Sequence, residues 1–313
     1  LAAIKCEGLT KRYGNVVALD SLDLSIKERS IFGFLGPNGA GKTTTIKLLV
    51  GLSNPTAGRA RVAGQEVTPE AIGLRKKIGY LPEVPAFYNW MNGLEFLSFV
   101  GELHHLSKAE IKNRSDELLE LVELKEAAKR RIGGYSRGMR QRLGIAQALM
   151  NKPEVLFLDE PCSALDPIGR REVLELIKRL SAGATVFMST HILSDVERVC
   201  DSVGIINQGK LVMTSSMEEL QRRYTRSVFE LEFEEDASPL IAELQVMPWM
   251  DKVEQVEVNG APALRLRVTD INAAKRELPA IVIASGLTLL RYELTLPSLE
   301  DIFIELVAGG GRQ

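Results

Sequence analysis

Five apolar residues in unbroken succession, Ile31-Phe32-Gly33-Phe34-Leu35, precede a glycine-rich turn, and Thr44 to Val50 follow it with helical spacing. A short continuous apolar run bounded by turn residues reads as a strand covered on both faces. Upstream, Val16-Val17-Ala18-Leu19-Asp20 and Leu22-Asp23-Leu24-Ser25-Ile26 read as two strands of an antiparallel β-region, the second with period-two alternation. From Asn92 to about Lys129 the spacing turns helical. Asn92 with Glu95, and Ser107 with Glu110, form the capping-box pattern that opens a helix, so two helices are predicted as an insert. Val155 to Leu158 is a second continuous apolar run, ending in Asp159-Glu160, and Thr185 to Ser189 a third, ending near His191. Between them Val173, Leu176, Ile177 and Leu180 share one face of a helix over Ile168 to Ser181. Strand, helix and strand of this kind predict a parallel sheet.

Beyond Gln221-Arg222-Arg223-Tyr224 the pattern changes. Phe229, Leu231 and Phe233 alternate with glutamates, Leu240 to Leu244 is helix-like, and Leu264, Leu266 and Val268 alternate with Arg265 and Arg267. Asn272 to Ile283 is helical again, and Leu290, Tyr292, Leu294 and Leu296 alternate once more. The order β-α-β-β-α-β predicts a small ferredoxin-like α+β unit. Ser298 with Asp301, and Leu299, Ile302, Phe303 and Leu306 on one face, predict a closing helix. The expected division is residues 1–220 with a helical insert at about 92–145, then residues 225–313.

At 313 residues and 45% hydrophobic content the chain is long enough for two cores, which excludes a disordered or fibrous class. Lys and Arg number 39 against 41 Asp and Glu, so no overall positive field argues for nucleic acid. No run of 18 apolar residues exists, and the N-terminal residues lack the apolar core of a secretion signal; the chain is expected not to span a membrane itself. Cys6, Cys162 and Cys200 offer no close-spaced ligand pair and read as small apolar fillers in a reducing compartment. Phe87, Tyr88, Trp90 and Met91 crowd one short loop, where they either pack beneath the insert or offer a partner an apolar surface.

Gly36-Pro37-Asn38-Gly39-Ala40-Gly41-Lys42-Thr43-Thr44 fits the Gly-x-x-x-x-Gly-Lys-[Ser/Thr] phosphate-binding pattern. Its glycines let backbone N–H groups converge on an oxyanion, and a helix starting near Lys42 aims its positive end at the same point. Lys42 is expected on the β- and γ-phosphates of a nucleotide and the Thr43 hydroxyl on Mg²⁺. In open parallel sheets ligands collect beyond the carboxyl ends of the strands, where Asp159, Glu160, His191 and this loop all fall. Neighbours on a strand point to opposite sides, so Asp159 is assigned to the Mg²⁺ shell and Glu160 to polarising the attacking water. Tyr13 either stacks on a purine ring or is a surface residue of the turn with Gly14-Asn15.

With these motifs in order the chain resembles an ATP-binding cassette (ABC) transporter ATPase over roughly residues 4 to 220. Tyr135-Ser136-Arg137-Gly138-Met139-Arg140-Gln141-Arg142 resembles the family signature, Leu156 to Glu160 its second acidic motif, Ser163-Ala164-Leu165-Asp166 its D-loop and His191 its switch histidine. Tyr13 then matches the adenine-stacking position. The resemblance implies an α/β P-loop fold that binds ATP with Mg²⁺ and hydrolyses it. Two cassettes, identical or related, would sandwich two ATP molecules head to tail, Ser136 and Gly138 touching a γ-phosphate in trans and Asp166 of the D-loop also counted among the nucleotide-binding residues. It also implies separate membrane permease subunits, a place on the cytoplasmic face of the membrane, and no nucleic-acid partner.

Glu83 departs from the family's Q-loop glutamine, as a carboxylate that can still ligate Mg²⁺ or water but cannot donate. Arg137 and Met139 replace a Gly and a Gln of the signature, and Cys162 stands where threonine is common. Glu83 and the Tyr135-Ser136-Arg137-Gly138-Met139 variant, with the ending Pro297 to Phe303, resemble the exporter-type branch that handles drugs, lipids or small ions and often carries a C-terminal accessory domain. The competing expectation is a soluble ABC ATPase acting on ribosomes or DNA, disfavoured because there is neither a second cassette nor a long coiled-coil insertion.

Overall fold

The computed structural model describes residues 2–68, 70–163, 165–223, 228–258 and 261–295. The chain divides into two compact units, Leu1–Met217 and Glu218–Gln313.

The first unit opens with a long antiparallel pair, β1 (Ala2–Tyr13) and β2 (Val16–Lys27), followed by β3 (Ile31–Leu35) and α1 (Lys42–Leu49). Next come β4 (Ala57–Val62), β5 (Gln65–Glu66), α2 (Ile72–Arg75) and β6 (Ile78–Leu81). The helical part is α3 (Gly93–Leu103), α4 (Lys108–Leu121) and α5 (Arg137–Leu149). Then β7 (Val155–Asp159), α6 (Pro167–Leu180), β8 (Thr185–Thr190), α7 (Leu193–Val199), β9 (Ser202–Asn207) and β10 (Lys210–Ser216) complete it.

These strands make two sheets. The antiparallel one has the order β2-β1-β4-β5, and the six-stranded one the order β10-β9-β3-β8-β7-β6, with only the β10 edge antiparallel. Phe32, Phe34, Phe157 and Phe187 from three neighbouring central strands share one core with Leu22, Leu24 and Ile26 of β2 and Ile46 and Leu49 of α1. One helix thus sits in the core that both sheets line, which fixes the loop leading into it. Register does the rest: Leu35 lies beside Thr190, and Asp159 beside Ser189, so the carboxyl ends of β3, β7 and β8 finish level.

Both capping boxes form. Asn92 Oδ1 accepts from Glu95 N while Glu95 returns the bond to Asn92 N, and Ser107 and Glu110 do the same. The two strands expected at Val16–Asp20 and Leu22–Ile26 are one strand, with Ser21 in the left-handed region at φ 48° where it bends. The helix expected to run to about Lys129 stops at Leu121, so Lys129-Arg130-Arg131 belongs to a turn, where Arg131 bridges Asn92. Of the loop aromatics, Phe87 packs edge-on against Phe96, its ring centroid 5.0 Å away, whereas Tyr88 and Trp90 are exposed. Among the described residues no helix is long and apolar enough to cross a membrane.

The second unit follows the order expected. After α8 (Met217–Arg223) come β11 (Val228–Phe233), α9 (Ser238–Gln245), β12 (Met250–Val258), β13 (Ala261–Val268), α10 (Ile271–Ala284) and β14 (Leu289–Thr295). The sheet is wholly antiparallel in the order β12-β13-β11-β14. Phe229, Leu231 and Phe233 project into a core with Leu240 and Leu244 of α9 and Leu278 of α10, while Glu230 on the other face is held by Arg265 and Arg291. The closing helix expected from Ser298 lies outside the described residues, as does Ala164 of the D-loop.

Candidate nucleotide site

The loop from Gly36 to Gly41 bends between β3 and α1, and two of its glycines are required by neighbouring backbone. A Cβ on Gly36 would fall 2.3 Å from the Ile206 carbonyl oxygen, and one on Gly41, at φ 108°, 2.5 Å from that of Ala18. Any side chain there would push the loop off β9 and β2. Gly41 is also the N-cap of α1 and offers no side-chain acceptor, so the first amides of the helix point outward unsatisfied by the cap. They line a cleft of about 280 Å³ whose walls include Asn38, Gly39, Gly41, Lys42, Thr43, Thr44, Glu83 and Glu160. Pro37 and Ala40 shape the loop through the backbone, the Ala40 amide donating to the Pro37 carbonyl at 3.1 Å.

Lys42 is almost wholly buried. Its ammonium donates to the carbonyls of Gly36 at 2.7 Å and Pro37 at 3.2 Å and lies 3.2 Å from Glu160 Oε1. The other carboxylate oxygen of Glu160 meets His191 Nδ1 at 2.9 Å. An ionised carboxylate only accepts, so Nδ1 is the donor in this contact. The His191 side chain is 42% exposed.

The expectation that Asp159 and Glu160 diverge because strand neighbours alternate needs correction. β7 ends at Asp159, and Glu160 lies beyond it in the left-handed region at φ 48°. A non-glycine residue there is uncommon and costs about 1–3 kcal/mol, so it persists only where the surroundings hold it. Ser189 provides the hold. Its carbonyl and its hydroxyl both accept from Glu160 N at 3.1 Å, and the hydroxyl donates to Asp159 Oδ1 at 2.6 Å. Asp159 Oδ2 is buried without a hydrogen-bond partner, an acceptor that a bound cation would satisfy. Ser189 was read from sequence only as the end of a strand. A Ser-Thr pair directly after the apolar run Val186-Phe187-Met188 was the available signal.

Three further residues lie elsewhere. Ser136 caps α5, its hydroxyl accepting from Met139 N at 3.2 Å, and Asp166 caps α6, accepting from Gly169 N at 2.7 Å. With Gly138 they line a second cleft of about 640 Å³, separate from the first. A Cβ on Gly138 would meet only Leu165 and the Ser136 hydroxyl at ordinary contact distance, so nothing in its own chain requires the glycine. Tyr13, at the end of β1, is half exposed, with Lys11 Nζ 4.9 Å from the ring centroid on one face.

Such a loop feeding a helix at the end of a parallel sheet, facing a strand-end carboxylate pair, defines a P-loop nucleoside-triphosphatase. A family model described as ABC transporter matches residues 19–163, and one described as the ATP-binding protein DrrA1-3-like C-terminal domain matches residues 216–307. The chain is 42% identical over 304 residues to the ABC transporter ATP-binding protein YxlF of Bacillus subtilis, covering 97% of this chain and 99% of that one. It is 37% identical over 309 residues to the bacitracin transport ATP-binding protein BcrA of Bacillus licheniformis, covering 98% of each. With the daunorubicin resistance ATP-binding protein DrrA3 of Streptomyces coeruleorubidus it shares 34% identity over 311 residues, 99% of this chain and 97% of that one. Among solved structures, an ATP-binding subunit of an ABC transporter superposes with a TM-score of 0.65 at 29% identity, over 71% of this chain and 93% of that one. A dimeric ATP-binding cassette in a post-hydrolysis state with ADP and Pi gives 0.63 at 25%, over 68% and 98%. The chain belongs to the ATP-binding proteins of ABC transporters, and it is an ATPase subunit whose hydrolysis is coupled to transport.

Proposed function

We propose that this subunit hydrolyses MgATP as one half of a cassette dimer and so drives export through separate permease subunits at the cytoplasmic face of the membrane. The observation that carries the reading is the triad at the cleft, in which one carboxylate, Glu160, touches both Lys42 and His191. Lys42 exchanges its carbonyl and carboxylate contacts for the β- and γ-phosphates, to which amides of the loop after Pro37 and of the start of α1 also donate. Glu160, released from Lys42, accepts a proton from the attacking water, and His191 orients that carboxylate through Nδ1. Tyr13 stacks the base on the face that Lys11 leaves free.

Mg²⁺ normally keeps substrate phosphates and waters in its shell and takes few protein oxygens. The unpartnered Asp159 Oδ2 fits that need; Thr43 and Glu83 line the cleft, together with Glu160, the residue next to Asp159. When bound, the ion neutralises charge on the phosphate oxygens.

Ser136, Gly138 and Asp166 are assigned to the nucleotide of a second copy. Support comes from their separate cleft, and from a glycine near a helix start that no contact within the chain explains. The solved relative that is dimeric with ADP and Pi supports the same arrangement. Relatives named for bacitracin transport and daunorubicin resistance support export. Residues 1–220 are proposed as the nucleotide-binding domain and 225–313 as an accessory domain. The test is co-purification from detergent-solubilised membranes. A polytopic partner that stimulates Mg²⁺-dependent ATP turnover is the expected result, and the absence of any co-purifying membrane partner would overturn the transport reading.

A further inference from the structure

Outside both clefts lies an ion pair, half-buried on its arginine side and buried on its acid side, that the mechanism above does not use. Arg170 Nε on α6 lies 2.6 Å from Asp195 Oδ1 on α7, and Asp195 is almost wholly buried. A pair of this kind is weak evidence for stability, because desolvation offsets most of the attraction. Its place in the chain offers a better reason.

Two segments leave the ends of the adjacent strands β7 and β8. One runs from Glu160 through Asp166 to Arg170, the other from His191 to Asp195. Glu160 Oε2 and His191 Nδ1 join them at the near end, and Arg170 and Asp195 join them at the far end, so the two segments form a closed ring. Each half is stiff. Asp166 is one helical turn from Arg170, whose amide donates to the Asp166 carbonyl at 2.9 Å, and the Asp195 amide donates to the Ile192 carbonyl at 3.3 Å, next to His191. Cys162, two residues past Glu160, feels Asp195, Arg170 and Glu160 together, and burial raises its thiol to about 12, as expected of a dry interior.

We propose that Arg170 and Asp195 are positioning residues for ATP hydrolysis: through them the seating of His191 on Glu160 depends on the seating of Asp166. Engagement of the Asp166 face by a second copy then aligns the acid and the histidine of the same chain. This rests on the dimeric ATPase reading. The same two helices share a second ion pair, Arg198 with Glu175 at 3.1 Å, but both side chains are about half exposed, so it is screened and serves as the control.

The experiment measures turnover per nucleotide site in the full chain, with sites counted by titrating a fluorescent ATP analogue in Mg²⁺. Asp195→Asn and Arg170→Gln should each lower kcat per site by about tenfold or more, move the affinity by less than about threefold and bring the Hill coefficient for ATP toward one. Arg198→Gln should leave all three within about twofold. Where a single variant fails to fold, the paired change Arg170→Met with Asp195→Leu, which replaces the ion pair with apolar volume, should fold and be equally slow. Wild-type kcat and cooperativity in that double variant or in both single variants would overturn the proposal while leaving the ATPase reading intact. Absence of Mg²⁺-dependent binding in the unaltered protein would instead overturn the reading beneath it.

Discussion

The Lys42 ammonium stands 3.2 Å from Glu160 Oε1, and each of these side chains is more than nine-tenths buried. Two residues 118 positions apart (160 − 42) thereby share one water-poor cleft, and the charge of each is held by the other. On the proposed reading, a nucleotide that takes the lysine frees the carboxylate for catalysis in the same movement.

Glu160→Gln keeps the shape of the side chain and removes its capacity as a base. Turnover should fall by about 10²–10⁴ while MgATP affinity and ATP-dependent dimerisation persist. Phosphate release assays with size-exclusion chromatography in ATP check this, and near-normal turnover would remove Glu160 from its role.

Lys42→Ala should weaken nucleotide binding and also destabilise the fold. Breaking a buried pair by deleting one partner costs about 3–5 kcal/mol, the upper range applying where no water reaches the orphaned charge. Titration with a fluorescent ATP analogue and urea unfolding report the two effects separately. An unchanged affinity would contradict the assignment of Lys42 to phosphate.

Ser189→Ala removes the hydroxyl that donates to Asp159 and accepts from Glu160 N. The expected cost is about 1–3 kcal/mol in stability, since a buried carboxylate loses its donor. Turnover should fall at least about tenfold because Asp159 and Glu160 lose their common anchor. Full activity in a folded Ser189→Ala protein would show that the strained Glu160 backbone is held without it.

All three cysteines are buried and free, and burial is the leading cause that raises each thiol, Cys6 and Cys162 to about 12 and Cys200 further. Native protein should therefore resist a thiol reagent at pH 8, and all three should react once it is unfolded. An acid with a raised folded pKa contributes stability below its unfolded value, near 9, and that stability is lost as pH rises from about 9 toward 12. Denaturant midpoints across that interval check the sign, and rapid labelling of the native protein at pH 8 would refute the burial.

Much of this was legible in the chain, for local reasons. The capping boxes at Asn92 and Ser107 form because each needs only residues three apart. The strands at Val155 and Thr185 were readable because burial on both faces demands unbroken apolar runs. β1 was not readable. Its pairing with β2 slips four times, so Ala3 with Ile4, and Leu9 with Thr10, are buried as neighbours, and no single period survives. The helix expected to reach Lys129 failed for a related reason, since helical spacing alone does not mark where packing ends it.

The sequence by itself determined which groups could do the chemistry: a phosphate loop, a lysine, two adjacent carboxylates and a histidine at strand ends. Tertiary structure decided how they meet. It made Gly36 and Gly41 obligatory through the carbonyls of Ile206 and Ala18. It turned Glu160 out of its strand and set Ser189 beneath it. It also kept Ser136 and Gly138 apart from the phosphate loop of their own chain. Spacing along a chain encodes contacts within a turn or two, whereas backbone approach and parallel register are set only when distant strands pair.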